Sequence, residues 1–302
     1  MKCSIFQDTR IGKRPYNQDR LGHWRTPEAM LLLVADGMGG HAHGEVAAEL
    51  TMRHIAAAFK REAQPRLANP DLFLFRAIGR SHSMLLRKAL ELGLPDTPRT
   101  TVVACVVQEG HAYWSHIGDS RLYLVRRGEI AARTRDHTRV QQLVDEGKLQ
   151  EDAVSTHPDR NRLLQCLGGV QAPRLEPTAK LRLEREDLLL LCSDGFWGPL
   201  TQRQLLSGLA AGAIAQSIPQ LAALAEQRAG PECDNISALA MAWGEEAVPL
   251  RDGPRTLPLH EMSTAVQDFG ATDPDFLRMT DEDIERAIAE IKEALKRQNP
   301  PR

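Results

Sequence analysis

Five aspartates in this 302-residue chain share one syntax. Each stands at or beside the end of an apolar run, with Gly, Ser or Asn near it: Asp19 in "RPYNQDR", Asp36 in "LLLVADGMGG", Asp119 in "WSHIGDSR", Asp194 in "LLLLCSDG" and Asp234 in "ECDNISALAMAW". Taken singly, an Asp-Gly after a strand is most often a turn, because these residues suit turn backbones. The recurrence argues for more. The runs are the chain's best candidates for central strands, so their ends converge on one rim of a sheet. Carboxylates gathered there repel one another unless cations neutralise them. Oxygen ligands, with no His or Cys at matching positions, select hard divalent ions such as Mg²⁺ or Mn²⁺. An EF-hand is excluded, since no D-x-D-x-D-G loop occurs.

Glycines after Asp36 let water, metal or substrate reach the backbone, and the Gly37 carbonyl is itself a candidate ligand. Two metals sharing a carboxylate would lower the pKa of a bridging water and clamp an in-line displacement at phosphorus. The phosphate then wants a fixed cationic fork. Arg14, five residues before Asp19, is the nearby candidate, although alone it would read as a solvated surface Arg.

The elements that must position these groups follow from periodicity. Residues 2–8 and 29–35 read as strands, and 44–63 and 69–92 as helices. The closely spaced runs "TTVVACVVQEG", "HAYWSHIGDS" and "RLYLVRRGEI" predict an antiparallel meander, since parallel units need longer crossovers. Residues 138–168 predict short helices and a polar, lid-like stretch; 187–193 is a strand, 201–229 is helical, and "NISALAMAW" is a last strand ending at Trp243. Antiparallel sheets with helices in long blocks make an α+β layered sandwich.

After residue 244 the character changes. Residues 245–279 carry prolines without periodicity and read as a linker. Residues 280–298 predict an amphipathic helix, capped by Thr280 with Asp283 three residues on. Its stripe, Ile284, Ile288, Ile291 and Leu295, must dock on the chain's own domain, on a second copy or on a partner protein.

Composition excludes several classes. A net charge of −2 gives no basic field for nucleic acid. Apolar runs stop at about six residues, far short of the roughly 18 to 20 that span a bilayer, so no membrane association is expected. The N-terminus lacks the apolar core of a signal peptide, and the five cysteines form no C-x-x-C pair, so a cytoplasmic protein without disulfides is expected.

In order and approximate spacing, "RPYNQD", "DGMGGHAHGE", "GDSRLY", "TRDHT", "SDGFW" and "CDNIS" resemble the metal-dependent protein phosphatases of type 2C, of the bacterial kind, over about residues 3–244. The resemblance implies an α-β-β-α four-layer sandwich, two mainly antiparallel sheets flanked by helices. It also implies two Mn²⁺ or Mg²⁺ ions with a weaker third site, and hydrolysis of phosphoserine and phosphothreonine by a metal-bridging hydroxide without a phosphoenzyme. By motif, Asp36 bridges both metals, the Gly37 carbonyl binds one, and Asp194 and Asp234 complete the second metal's site. Asp19 acts through metal-bound water, Arg14 holds the phosphate, Asp119 joins Asp194 at the third site, and Asn235 supports the cluster from behind. Phosphorylated proteins are the implied partners, among them a Ser/Thr kinase and its substrates.

Some positions depart from the pattern. Met38 stands where many eukaryotic relatives have a His proposed as general acid, and a thioether has no proton to give. A metal-bound water is the substitute. His43 stands where Ala is usual, and structural roles are expected for His41 and His43. "HPDRNRLLQCLGG" keeps His157, Asn161 and Gly168 but not the usual Thr, beside the flap implicated in substrate choice. No cysteine has Arg six residues on, which excludes a thiol phosphatase, and no P-loop or GxGxxG occurs. The remaining alternative is an inactive phosphatase-like module that binds phosphoproteins; such relatives usually lose a metal carboxylate, and all five acids are present here.

Overall fold

The computed structural model describes residues 2–38, 44–176 and 178–244. The predicted linker 245–279, the predicted helix 280–298, and Gly39, Gly40, His41 and His43 lie outside the described residues.

Among the described residues, ten strands form two five-stranded sheets. Sheet one joins β1 (Cys3–Arg10), β10 (Ile236–Trp243), β9 (Leu188–Cys192), β6 (Arg121–Arg126) and β7 (Glu129–Arg133) in that order. Sheet two joins β2 (Asp19–Arg25), β3 (Ala29–Asp36), β4 (Val102–Gln108), β5 (His111–Ile117) and β8 (Ala179–Arg182). Every pairing is antiparallel. Helices α1 (Gly44–Glu62) and α2 (Pro70–Glu91) cover sheet two, and α5 (Gln202–Leu209) and α6 (Ile214–Ala229) cover sheet one. Between them lie α3 (Arg139–Asp145), the single turn α4 (Asp194–Trp197) and a 3₁₀ segment, Glu151–Thr156.

Three apolar layers account for the solid runs in the sequence. On β3, Leu31, Leu33 and Ala35 pack under α1 and α2, while Met30, Leu32 and Val34 face the other sheet. A strand buried on both faces has no polar side to alternate with. The inter-sheet layer also takes Leu189 and Leu191 of β9 and Leu239 and Met241 of β10. Helix starts are written locally: the Asn69 side chain accepts from the Leu72 amide, and Thr201 with Gln204 forms a capping box.

Three features differ from expectation. Strands β2 and β8 are absent from the periodicity reading. In β2, "DRLGHWR", Arg20 is buried inside the fold and Gly22 and His23 interrupt the apolar pattern. At four residues of half-buried edge, β8 carries too short a signal. The expected meander is also divided: β4 and β5 pair in sheet two, β6 and β7 in sheet one. The chain changes sheets at Gly118–Ser120, where Gly118 has φ +104° and the Thr101 side chain closes the space a Cβ would need.

Candidate active site

The two sheets bring the five aspartates to their common edge. Asp19 opens β2 and Asp36 closes β3, opposite one another in register. Asp36 is held through its backbone: its amide donates to Thr101 Oγ1 (3.1 Å), and its carbonyl accepts from the Thr101 amide and Thr100 Oγ1 (both 2.8 Å). From sheet one, β9 is followed by Ser193, whose hydroxyl donates to Asp19 Oδ2 at 2.7 Å and accepts from the Ser237 amide at 3.0 Å. One small residue thus ties the rims of both sheets together.

Asp194 follows and opens α4. A Cβ on Gly195 would lie 2.1 Å from the Asn235 carbonyl oxygen and 3.3 Å from Asp234 Cβ, so glycine here is what lets Asp194 approach Asp234. Asn235 holds the 11–18 loop. Its Oδ1 accepts from the Gln18 amide, and its Nδ2 donates to the carbonyls of Ile11 and Tyr16. That loop carries Arg14, whose guanidinium donates to Asp234 Oδ2 at 2.6 Å with both side chains partly exposed. Asp119 is buried in the sheet-crossing link, and its carbonyl accepts from Trp197 Nε1 at 3.0 Å.

Burial and mutual repulsion dominate the electrostatics. Loss of solvent pushes Asp19 up to about 7, with Asp194 and Asp234 adding to the shift and the Ser193 and Ser237 hydrogen bonds opposing it. Asp36 is raised well above the carboxylate range, first by burial and then by Asp19, Asp194, Asp119 and Asp234. Asp194 is pushed up to about 6 by burial and then Asp234, against hydrogen bonds from Asp36 and the Gly195 amide. Asp119 rises by burial and then through Asp194. Burial and the repulsion of neighbouring carboxylates raise all four acids in the same direction.

Among the described residues, no three His, Cys, Asp or Glu groups are drawn in around a single point. Asp234 turns to Arg14, and Asp36 and Asp194 lie close enough to perturb each other's titration. The donor set nevertheless fits hard cations. Asp19 Oδ1 is buried with no hydrogen-bond partner, a costly condition for a carboxylate oxygen. An all-oxygen group of five acids is what divalent ions of the Mg²⁺ and Mn²⁺ type take.

Sequence reasoning missed the supports. Arg20, 2% exposed, lies directly behind Asp19; its Nη1 donates to the carbonyls of Asn17 and Asp19, and its Nε pairs with Glu49 at 3.0 Å. Thr100, Thr101 and Ser193 were equally silent; for Ser193 alone, a hydroxyl next to a strand-end acid was the available signal. The polar segment after β7 reaches the site at its base, where Thr100 bridges Gly37 on one side and Leu167 on the other. Met38 is half-buried, its amide donating to the Arg99 carbonyl at 3.0 Å.

Two sheets layered between helices, with strand-end acids at their common edge and Arg14 paired to one of them, are the arrangement that the sequence resemblance implies. The chain belongs to the protein phosphatase 2C family, whose pattern matches residues 7–228. It is 36% identical over 214 residues to the serine/threonine protein phosphatase PstP of Mycobacterium tuberculosis, covering 70% of this chain and 40% of that protein's length. It is 30% identical over 256 residues to the protein phosphatase PhpP of Streptococcus pneumoniae, covering 82% of this chain and 99% of PhpP. The crystal structure of the catalytic domain of PstP in complex with two manganese ions superposes with a TM-score of 0.65 at 28% identity, over 80% of this chain and 99% of that one. The family's named relatives are Ser/Thr phosphatases, which are hydrolases, and the family is metal-dependent. The expected α-β-β-α sandwich is the one observed. Among the described residues, no helix is long and apolar enough to cross a membrane.

Proposed function

We propose that this chain is a divalent-metal-dependent phosphatase of phosphoserine and phosphothreonine in proteins. The observation that carries the reading is the convergence of five strand-end acids, one with an orphaned buried oxygen, beside a partly exposed arginine. Asp36 and the Gly37 carbonyl would hold two ions together, with Asp194 and Asp234 completing one site. Asp119 with Asp194 would hold a weaker third. When bound, the ions supply Lewis acidity and an activated water.

The chain's own groups do the rest. Arg14 exchanges Asp234 for the substrate phosphate, which accepts its planar fork in bidentate fashion, and so frees Asp234 for a cation. Asp19, fixed by Ser193 in front and Arg20 behind, orients water at the cluster through Oδ1. Asn235 keeps the Arg14 loop in register with Asp234. Met38 offers no proton, so the leaving alkoxide takes its proton from water. Residues 1–244 are the proposed phosphatase domain; the stretches 245–279 and 280–298 lie outside the described residues. Phosphorylated proteins in the cytoplasm, a Ser/Thr kinase and its targets among them, are the proposed substrates.

The test is hydrolysis of a phosphothreonine peptide with and without Mn²⁺. Turnover should need the ion, and Asp36→Asn should lose at least two orders of magnitude while keeping its fold. Undiminished turnover in EDTA would sink the metal reading, and near-normal turnover by the variant would sink the role of Asp36.

A further inference from the structure

The link between β5 and β6 is held at each of its three residues. Gly118 is gripped from both sides by His137: the His137 amide donates to the Gly118 carbonyl at 2.9 Å, and the Gly118 amide donates to His137 Nδ1 at 3.1 Å. Ser120 Oγ lies 2.7 Å from Thr101 Oγ1. Between them, the Asp119 carbonyl accepts from Trp197 Nε1.

Trp197 is itself pinned. The Arg121 guanidinium lies 3.3 Å from the centroid of an indole ring, a cation–π stack. Arg121 in turn cannot swing, because Asp136 takes its fork at 2.8 and 2.7 Å and the Tyr123 hydroxyl accepts from Nη1 at 2.8 Å. Arg121 and Asp136 are both nearly buried, so the ring rests on a platform with little freedom. The edge of Trp197 packs against the apolar layer under α5 and α6.

The consequence lies in α4. Asp194 and Trp197 are its first and last residues, three apart on one helical turn and so on one face. The turn is closed by the Gly198 amide donating to the Asp194 carbonyl at 2.7 Å. A short mechanical path therefore runs from the Asp194 backbone through one turn and the indole N–H to the Asp119 backbone.

We propose that Trp197, seated on the Arg121–Asp136 pair, is a positioning residue that sets the spacing between Asp119 and Asp194 and so the affinity of the cation those two acids share. The inference rests on the reading of Asp119 and Asp194 as cation ligands. Asp194 also serves one of the tighter ions, but there it stands beside Asp36 and Asp234, which are anchored elsewhere, through Thr100 and Thr101 and through Gly195 and Asn235, so the tighter ions depend less on the indole than the ion at Asp119 does.

The test is calorimetric and EPR titration of the full chain with Mn²⁺ alone, with Asp119→Asn as the reference. Trp197→Phe keeps an aromatic face for Arg121 while removing the N–H donor and part of the ring's bulk. It should bind the weakest Mn²⁺ about five- to tenfold less tightly, as loss of one hydrogen bond predicts, with the tighter ions within twofold of wild type and the melting temperature in EDTA little changed. Arg121→Lys keeps the charge without the fork; it should shift the same ion in the same direction and decides the matter if the first variant does not fold. Unchanged affinity of the weakest ion in folded variants overturns the proposal, as does equal weakening of every ion, which would mark a purely structural role. If Asp119→Asn itself leaves the weakest ion in place, the ligand reading of Asp119 falls and this inference with it. If that reference loses the ion while Trp197→Phe does not, the positioning role alone is refuted.

Discussion

With divalent ions chelated, the acid cluster should make the fold lose stability as pH rises, and Asp19 is where this can be read most cleanly. Its carboxyl is 1% exposed and pushed from 3.8 up to about 7, first by burial. Between those two values the native state keeps a proton that the unfolded chain has released. Asp19 therefore costs nothing below its unfolded pKa, destabilises progressively as pH climbs towards 7, and costs a constant amount above that. Three pH units set a ceiling of about 4 kcal/mol. Part of it comes from Asp194 and Asp234, which relax when Asp19 is neutralised, so about 2 kcal/mol is assigned to Asp19 alone. For a domain of this size that amounts to about 4–8 °C in melting temperature. The perturbation is Asp19→Asn, which keeps the shape and the Ser193 hydrogen bond but cannot ionise. Melting curves in EDTA at pH 5 and pH 8 should show wild type falling by about 3–5 °C more than the variant, because part of the cost is already present at pH 5. Added Mn²⁺ at pH 8 should restore the wild type far more than the variant, since cations take over the neutralising role. Parallel pH dependences for the two proteins would refute the reasoning, and a wild type more stable at pH 8 than at pH 5 without metal would reverse its sign.

Two further outcomes are expected. Gly195→Ala puts a methyl group 2.1 Å from the Asn235 carbonyl oxygen, so α4 must retreat and carry Asp194 away from Asp234; phosphopeptide turnover should drop at least tenfold while circular dichroism stays native, and normal kinetics would show that this close approach is dispensable. Ending the chain after Gly244 should leave hydrolysis of a small aryl phosphate within about twofold, because every proposed site residue precedes that point; loss of this turnover in a folded truncated protein would give residues 245–302 a catalytic part.

Much of the site was legible because its acids mark where apolar runs stop. Asp36, Asp194 and Asp234 adjoin β3, β9 and β10, whose two buried faces leave continuous Leu, Val and Ala in the sequence. The long helices were equally plain from their 3.6-residue spacing. Strand β2 was hidden because Arg20 is buried there as part of the support for Asp19. Local hydropathy cannot distinguish a buried, paired arginine from a solvated one. The split of the meander between two sheets was hidden for another reason. Strand spacing reports that two runs are near in sequence, and says nothing about which sheet each one joins. The supports from Thr100, Thr101, Ser193 and Trp197 are tertiary contacts with no periodic signature.

The Ser193 hydroxyl, with one bond into each sheet, turns the rim of the proposed site into a gauge of how the sheets lie on each other. Hydrogen bonds tolerate a few tenths of an ångström, whereas a leucine layer can slide further at little energetic cost. Conservative swaps among Leu189, Leu191, Leu239 and Met241 therefore carry a burden that a melting curve would miss. Their side chains never approach a phosphate, yet a slip of the layer they form reaches Asp19 through one oxygen. Selection on turnover would thus act on the packing of the interior, and the middle of this sandwich would vary less than its stability alone requires.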